Sequence, residues 1–271
     1  MSYLAAQSFG AVSRGAAVDV GAVRGGGWPP LTRFLVGGTG LILPGLGTED
    51  GRRAPGDGSS TVIAMTTAAI VLAAGASRRL GRPKQLVGFR GRPLLQAVVD
   101  AVASWPVDRV VVVLGSSADD VLDAVDFGEA VVAINEDWEE GIASSLRVGL
   151  DILGRDPAVE RTFVVLGDQP EIPAEVPELL VEAAEWSDRP ALVPVYRYER
   201  ANPVLFDRRL WHRLMALEGD HGASDFLRAH PDWVEEVRVD RLPPRDVDTD
   251  DDVADLGRDA RRPGTDGPAD R

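Results

Sequence analysis

The sequence contains no cysteine and only three histidines among its 271 residues. The absence of cysteine excludes disulfides, thiol nucleophiles and cysteine-based zinc sites. His212, His221 and His230 are scattered and show no spacing typical of a metal site. Because nothing in this composition requires an oxidising compartment, we expect a cytoplasmic location.

The sequence also lacks a hydrophobic run long enough to cross a membrane. Its most apolar stretch, FLVGGTGLILPGLG (Phe34 to Gly47), has fourteen residues that include five glycines and a proline. A bilayer span requires about 20 apolar residues. The first residues do not combine a basic region with a compact apolar stretch, so they do not indicate a secretory signal. We therefore expect no membrane partner.

Positive charge is in the minority, with 29 Lys and Arg against 43 Asp and Glu and a net charge of −14. Such a surface repels polyanions, so we expect no nucleic-acid partner. An anionic ligand would need a local cluster of donors. One stretch offers such a cluster: VLAAGASRRLGRPKQL, residues 71–86, contains two glycines and four basic side chains.

The composition changes sharply near residue 65. Residues 1–64 are rich in Gly, Ala and Arg, have no sustained apolar period and end in a loop-like run, so we predict a low-order extension. Two interpretations remain open: translation begins at Met65, or the extension is genuine and flexible. Residues 65–257 read as one compact domain. Residues 258–271 are polar and rich in helix breakers, which predicts a flexible tail.

Within the domain, strand-like and helix-like segments alternate. The strand-like segments are short apolar runs typical of strands buried on both faces: Ala68–Ala73, Arg109–Gly115, Ala130–Ile134, Thr162–Gly167 and Ala191–Tyr196. Apolar side chains at helical spacing lie between them, in one stripe from Leu94 to Val102 and another from Leu146 to Leu153. This alternation predicts an α/β fold with a single doubly wound, Rossmann-like, mostly parallel sheet and helices on both faces. Ligands of such sheets bind at the carboxyl ends of the strands.

The basic stretch directly follows the first predicted strand, where backbone N–H groups near Gly75 can bind an anion. Two familiar phosphate-binding loops do not fit it. A P-loop requires four residues between its glycines, whereas Gly75 and Gly81 are separated by five. The dinucleotide fingerprint G-x-G-x-x-G cannot be aligned with this stretch either.

A different signature does fit. LAAGASRRLGRPK resembles the L-A-[AG]-G-x-S-x-R-M-G-x-x-K motif of the nucleotidyltransferases that make molybdenum cofactor dinucleotides, within the MobA-like nucleotidyltransferase family. The resemblance implies the nucleotide-diphospho-sugar transferase type of fold and a backbone cradle for a nucleotide at Leu72, Ala73, Ala74 and Gly75. It also implies that Arg79 and Lys84 act in catalysis by neutralising phosphates. Phosphoryl-transfer chemistry depends mainly on such positioning and charge stabilisation.

Two acidic segments bear on a metal site. VVLGDQP ends a predicted strand with Asp168, and DVDTDDDV resembles the family motif D-[IV]-D-T-P-E-D and contains Asp248. The resemblance implies that Asp168 and Asp248 hold Mg²⁺ as the cofactor, and carboxylates are suitable ligands for it. Taken alone, Asp168 could form an ordinary turn, and residues 250–252 could be acids at a helix N-terminus.

The segment NEDWEEGIASSLRVGL, Asn135 to Leu150, is similar to the corresponding segment of molybdenum cofactor cytidylyltransferases. Because guanylyltransferases usually have Gly in place of Ala74, both features favour CTP. Ser144 and Ser145 could instead be helix N-caps, and Trp138 could be a core residue. The nucleotide-binding residues implied by the resemblance are Leu72, Ala73, Ala74, Gly75, Lys84, Gly115, Asn135, Ser144 and Asp168.

Two further segments resemble family motifs. ANPVLF, Ala201 to Phe206, is similar to an element beside the acceptor pocket, and GDHGASDFL, Gly219 to Leu227, is similar to a G-D-x-G-A turn. The resemblance therefore implies an enzyme that transfers a nucleotidyl group, CMP from CTP, to a phosphorylated acceptor, molybdopterin cofactor, and releases pyrophosphate. The alternatives are a GTP-dependent or a sugar- or polyol-phosphate nucleotidyltransferase, an oxidoreductase on the same fold, and a nucleotide-binding regulator.

Overall fold

A computed structural model describes residues 34–36, 66–197, 199–249 and 251–253. The strands are β1 (Phe34–Val36), β2 (Thr66–Ala73), β3 (Gly88–Phe89), β4 (Arg92–Pro93), β5 (Arg109–Leu114), β6 (Val131–Asn135), β7 (Val159–Leu166), β8 (Ala191–Tyr196), β9 (Glu199–Arg200), β10 (Val204–Asp207) and β11 (Val234–Val239). The helices are α1 (Leu94–Ala103), α2 (Ala118–Ala124), α3 (Ile142–Gly154), α4 (Glu175–Ala183), α5 (Trp211–Leu214) and α6 (Ala223–Ala229). None of these helices is long and apolar enough to span a bilayer.

The main sheet has the strand order β1-β6-β5-β2-β7-β10-β8-β11, with β9 paired to β8. The strands from β1 to β7 in this order are parallel, and β10 is antiparallel to both of its neighbours. Beyond it, β8 and β11 are again parallel to each other. This mostly parallel sheet confirms the fold class predicted from the sequence.

Both faces of the sheet are covered, because successive side chains of a strand point to opposite faces. Ala68, Ile70 and Leu72 of β2 belong to one apolar cluster together with residues of α3, α5 and α6. Ala69 and Val71 belong to the opposite cluster, with α1, α2 and α4. Burial on both faces explains why the central strands are continuous apolar runs, as the sequence indicated. The two predicted helical stripes also lie in these clusters, except that Leu94 packs in a smaller third cluster with Phe89 and Val247.

The sequence prediction missed four strands of the main sheet, namely β1, β9, β10 and β11. Val204–Asp207 forms β10, which inserts between β7 and β8. Val234–Val239 forms the edge strand β11, in which only the two end valines are buried and the residues between them are half-buried or exposed, so it does not form an apolar run. Of the predicted N-terminal extension, the structure describes only residues 34–36, which pair with β6. The predicted tail and Asp250 lie outside the described residues.

The strand order places a crevice at the carboxyl ends of β2 and β7. The chain leaves β2 through α1 to reach β5 on one side, whereas it leaves β7 toward β8 and β10 on the other. Such a reversal opens a gap between the connections, which is where open α/β sheets bind ligands. The basic stretch follows β2, and Asp168 follows β7, so both lie at this gap.

Candidate active site

Two clefts meet at the carboxyl end of β7, and Leu166 lines both. The first cleft has a volume of about 360 Å³ and lies between the turn after β2 and the beginning of α3. Its lining includes Leu72, Ala73, Ala74, Gly75, Lys84 and Asp168, six of the nine residues predicted to bind a nucleotide. The second cleft is larger, at about 760 Å³, and lies over β8, β9 and β10. We call them the first cleft and the second cleft.

The turn after β2 is held by hydrogen bonds to all four of its carbonyl groups. The Leu72 carbonyl accepts from Gly167 N at 2.9 Å, and the Ala74 carbonyl from Ser116 N at 3.0 Å. The side-chain amide of Gln85 donates to the Ala73 carbonyl at 2.7 Å and to the Gly75 carbonyl at 3.1 Å. These bonds fix the turn in one conformation before any ligand binds, which lowers the ordering cost of binding.

Gly115 does not line the first cleft, although the sequence assigned it to nucleotide binding. A β-carbon at this position would lie 2.7 Å from Trp138 Cβ and 2.8 Å from Ala74 Cβ. Neither neighbouring atom can move away easily, because each is attached directly to the backbone. Gly115 therefore lets the β2 turn and the Trp138 segment approach each other. Since Ala74 and Trp138 both line the first cleft, Gly115 contributes to the shape of the cleft without lining it.

Lys84 joins the two predicted metal-binding carboxylates. Its ammonium group donates a hydrogen bond to Asp168 Oδ2 and a second, at 3.2 Å, to Asp248 Oδ1. Arg79 Nη1 contacts the other oxygen of Asp248, also at 3.2 Å. The structure thus brings together two carboxylates and two cations that the sequence places far apart. Lys84 and Asp168 are largely buried, whereas the Arg79 side chain is 80% exposed.

The buried environment sets the ionisation of this cluster. Burial by itself would lower the pKa of Lys84, but the charges of Asp168 and Asp248 and the hydrogen bonds to them outweigh it, so the pKa is raised. The Lys84 ammonium therefore stays charged at neutral pH. For Asp168, burial raises the pKa and outweighs the opposing effect of Lys84, and the negative charge of Asp246 acts in the same direction as burial.

The same two carboxylates have the chemistry of a Mg²⁺ or Mn²⁺ site. Because Asp168 and Asp248 both contact one ammonium nitrogen, their oxygens converge on a single cationic position, which the Lys84 side chain occupies in this structure. Among the described residues no group of three or more His, Cys, Asp or Glu converges in this way. Mg²⁺ commonly uses one or two carboxylates and completes its coordination with water and substrate phosphates. The residues present therefore fit a divalent metal ion that takes its remaining ligands from water or a bound phosphate.

Asp248 is positioned by the residues on either side of it. Val247 is fully buried against Phe89, Leu94 and Ala97, and its backbone N donates to the Asp168 carbonyl at 3.2 Å. On the other side, the Asp252 carboxylate accepts hydrogen bonds from the backbone of Asp248 and from Thr249. Thr249 Oγ1 in turn accepts from Asp252 N, which forms a reciprocal cap on the following helical turn.

Asn135 and Ser144 were predicted to bind the nucleotide, but the structure places both behind the wall of the first cleft. Asn135 is 1% exposed and donates through Nδ2 to Ser144 Oγ at 2.8 Å and to Ser145 Oγ at 3.0 Å. Its Oδ1 accepts from Asp137 N at 3.0 Å. This network joins the end of β6 to α3, whereas Ser145 alone of these residues also lines the cleft. Neither serine is the N-cap, which is Gly141.

Trp138 and Arg78 lie at the edge of the first cleft. Trp138 is half-buried and lines the cleft, so it is not an ordinary core residue. The Arg78 guanidinium approaches the Glu139 carboxylate across the two walls at 3.9 Å, with both side chains exposed. An exposed pair of this kind contributes little to stability.

The second cleft combines an apolar floor with a polar network. Val193, Val195 and Val204 contribute to its lining. Asn202 Nδ2 donates to Gln169 Oε1 at 3.1 Å, and Gln169 Nε2 donates to Asp246 Oδ1 at 2.6 Å. The predicted acceptor element, residues 201–206, contributes Ala201, Asn202 and Val204 to this cleft.

Sequence reasoning missed three residues at these clefts: Gln85, Gln169 and Asp220. Gln85 is 2% exposed, and its Oε1 has no hydrogen-bond partner among the described residues. Its position next to Lys84 in the basic stretch was a signal that could have identified it. Asp220 lies in the G-D-x-G-A turn, and Gln169 directly follows Asp168, so the predicted motifs contained both.

Comparison with known proteins shows what this chain is similar to. Residues 69–234 match the MobA-like NTP transferase domain. Nicotine blue oxidoreductase of Paenarthrobacter nicotinovorans is 32% identical over 199 residues, which cover 68% of this chain and 90% of that protein. The crystal structure of Rv0371c from Mycobacterium tuberculosis H37Rv is 33% identical, with a TM-score of 0.66 over 71% of this chain and 97% of that one. The structure of Rv0371c in complex with manganese is 30% identical, with a TM-score of 0.62 over 70% of this chain and 97% of that one.

Proposed function

The chain belongs to the MobA-like NTP transferase family, and from this premise we propose that it transfers CMP from CTP to a phosphorylated acceptor and releases pyrophosphate. The family assignment confirms the resemblance predicted from the basic stretch. The observation that carries the proposal is the convergence of Lys84, Asp168 and Asp248 where the two clefts meet. We propose molybdopterin cofactor as the acceptor and Mg²⁺ as the metal.

The chemistry follows from the residues at this junction. The turn from Leu72 to Gly75 would hold the nucleotide, and Lys84 and Arg79 would neutralise its phosphates. Asp168 and Asp248 would hold Mg²⁺, which would supply further neutralisation of phosphate charge when bound. An oxygen of the acceptor phosphate attacks the α-phosphorus in line, a new P–O bond forms, and the bond to pyrophosphate breaks. The acceptor phosphate is already ionised near neutral pH, so the step needs no strong general base.

Both clefts support a transfer between two ligands. The first cleft contains the preorganised turn and the ammonium group of Lys84, which suit a nucleoside triphosphate. The second cleft is larger and is lined by apolar side chains and a carboxamide network, which suit an organic acceptor with hydrogen-bonding groups. Since Asp168 lies at the first cleft and its neighbour Gln169 at the second, the reacting groups would meet between them.

Two features support CTP as the donor. Ala74 is buried and lines the first cleft, where a glycine would leave more room for a larger base. The segment from Asn135 to Ser145 forms a connected wall beside the cleft and carries the resemblance to cytidylyltransferases. A GTP-dependent enzyme, or one that acts on a sugar or polyol phosphate, is an alternative within the same reaction class.

A pyrophosphate-release assay with each of four NTPs, Mg²⁺ and candidate acceptors tests the proposal. We expect the highest turnover with CTP, and Asp168→Asn should reduce turnover at least about a hundredfold because it removes an anchoring charge. Asp120→Asn, an exposed change on α2, is the matched control and should leave turnover unchanged. A preference for GTP would overturn only the choice of base, whereas near-normal turnover of Asp168→Asn would overturn the mechanism.

The similarity to nicotine blue oxidoreductase favours a second candidate function, an oxidoreductase on this fold. The first cleft lacks the G-x-G-x-x-G turn that nicotinamide dinucleotides commonly require. Dye reduction that depends on NADH or NADPH, measured without any NTP, would support this second candidate. Binding of nucleotides without turnover of any acceptor would instead support a nucleotide-binding regulator.

A further inference from the structure

A loop from the far side of the first cleft brings an acidic side chain into its wall. This 217–222 loop, Leu217 to Gly222, connects α5 to α6, and Asp220 is its contribution to the lining of the first cleft. The loop arises about 50 residues after Asp168 in the chain and belongs to none of the strand ends that form the crevice. Its placement therefore requires a separate explanation.

The loop is fastened to the first turns of α3 by several contacts. Ala143 N donates to the Gly219 carbonyl at 3.1 Å, and Arg147 Nη1 donates to the Leu217 carbonyl at 2.7 Å. Gly141 has a φ of +103°, and a β-carbon there would lie 2.4 Å from the Gly219 carbonyl group. Only glycine permits this approach of two backbones. These contacts hold the loop, and with it Asp220, in a defined place.

The Asp220 carboxylate itself has no hydrogen-bond or ion-pair partner in the part of the chain that the structure describes. One of its oxygens lies 2.7 Å from the position that a β-carbon of residue 141 would occupy, so the carboxylate stands at the cleft wall beside the beginning of α3. An ionised carboxylate can only accept hydrogen bonds. A ligand group that binds to it must therefore be a donor.

The first cleft is also divided by charge. The lining residues Arg78 and Lys84 come from the loop after β2, and Lys84 also contacts Asp168 and Asp248, whereas Glu139 and Asp220 come from the opposite wall near α3. Glu139 is neutralised in part by Arg78, which leaves Asp220 as an acceptor on that wall. A nucleoside triphosphate has the complementary division, since its phosphates are anionic and its nucleoside carries neutral donors.

We propose that Asp220 recognises the ribose of the donor nucleotide by accepting hydrogen bonds from its 2′ and 3′ hydroxyl groups. This inference rests on the proposed function, because it requires a nucleoside triphosphate in the first cleft. Carboxylates perform this task in other nucleotide-binding folds, where they bind ribose hydroxyls. Asp220 is thus a specificity-determining residue, and the glycine pair at 141 and 219 positions it.

Calorimetric titration of the full chain with CTP, 2′-deoxyCTP and 3′-deoxyCTP in Mg²⁺ tests the proposal. The unsubstituted protein should bind CTP about 10- to 100-fold more tightly than at least one deoxy analogue, as expected for a hydrogen bond to a charged group. Asp220→Asn should weaken CTP binding by a similar factor and leave the affinity for that analogue nearly unchanged. Glu218→Gln, in the same loop but outside the first cleft, is the matched control and should change neither the affinity for CTP nor the affinity for the analogue.

The outcomes separate this inference from the proposed function. If the unsubstituted protein binds CTP and Asp220→Asn binds it equally well, only the ribose assignment fails. An equal loss for all three nucleotides would show a general charge effect and would also overturn it, as would a fall in melting temperature without a change in affinity. If the unsubstituted protein binds no NTP, the proposed function and this inference both fail.

Discussion

At the scale of the residue, two glycines near the β2 turn have opposite surroundings. A β-carbon at Gly75 meets nothing within 4 Å and would face the open first cleft, whereas one at Gly115 would collide with Trp138 and Ala74. One glycine therefore leaves room for a ligand, and the other lets protein segments approach each other. The two positions should respond differently to the same substitution.

We predict that Gly75→Ala weakens CTP binding at least about tenfold without loss of stability, since the added methyl group occupies ligand space only. Gly115→Ala should lower both the affinity for CTP and the stability, because overpacking of this kind costs about 1–3 kcal/mol. Gly154→Ala is the control, because a β-carbon at this last residue of α3 meets nothing within 4 Å. Thermal melting and CTP titration of the three variants measure both effects. Equal affinity of Gly75→Ala and the unsubstituted protein would contradict a nucleotide at this turn.

Lys84 and Arg79 provide a second comparison at the residue scale. Lys84→Met removes the ammonium that Asp168 and Asp248 share, and leaving the buried Asp168 unpaired should cost about 3–5 kcal/mol of stability. Arg79→Met changes an exposed side chain, so its effect on stability should stay within about 0.5 kcal/mol. Turnover should fall in both variants. Denaturant unfolding measures the effect on stability, and the pyrophosphate assay measures the effect on turnover. An unchanged turnover of Lys84→Met would argue against a role of Lys84 in the reaction.

At the scale of the element, the wall of the first cleft depends on how β6 is joined to α3. Asn135 connects them through two hydrogen bonds, to Ser144 and Ser145, and a third, from Asp137 N, fixes the turn after β6. We predict that Asn135→Ala costs about 1–3 kcal/mol, because it leaves buried polar groups without partners, and that it weakens nucleotide binding indirectly. Denaturant unfolding and CTP titration test this. A loss of affinity without any loss of stability would instead indicate direct contact between Asn135 and the ligand.

The segment that carries Asp248 is a second element whose position matters. Its anchor is the fully buried side chain of Val247, which packs on Phe89, Leu94 and Ala97. Val247→Ala should destabilise the protein by about 1–3 kcal/mol and lower turnover, because the anchor of Asp248 loosens. Leu242→Ala in the preceding loop changes a side chain that is 64% exposed and should alter neither property. If Val247→Ala loses stability and keeps full turnover, the anchor does not control Asp248.

At the scale of the whole molecule, one sheet separates two apolar layers, and both layers pack against β2. The described domain should therefore unfold in a single cooperative transition. CTP with Mg²⁺ at about 100 times its Kd should add about 2.7 kcal/mol, or roughly 5–10 °C in Tm. CTP alone, or Asp168→Asn with both ligands, should give a much smaller shift. Differential scanning calorimetry measures the shift in Tm. An equal shift without Mg²⁺ would contradict a metal ion bound together with the nucleotide.

The sequence by itself determined the fold class and the location of the basic stretch at the carboxyl edge of the sheet. Central strands buried on both faces must be apolar throughout, so β2, β5, β6, β7 and β8 could be identified from local composition. A cluster of hydrogen-bond donors that directly follows β2 can lie only at the carboxyl edge of the sheet. The motif that contains Gly75, Arg79 and Lys84 is local as well, and its position relative to β2 followed from the chain order.

Tertiary structure decided which distant residues meet. The antiparallel β10 has an apolar run of only three residues, and the edge strand β11 mixes valines with charged residues, so the pairing of both strands depends on neighbours that only packing selects. The hydrophobic periodicity of a segment shows that one face is buried but does not show what that face contacts. The burial of the Asn135 and Ser144 side chains against each other was therefore not predictable. For the same reason, the sequence could not show that Lys84 contacts both Asp168 and Asp248, or that Asp220 lines the first cleft. These contacts join segments far apart in the chain, and their geometry is set by how the layers pack across the sheet.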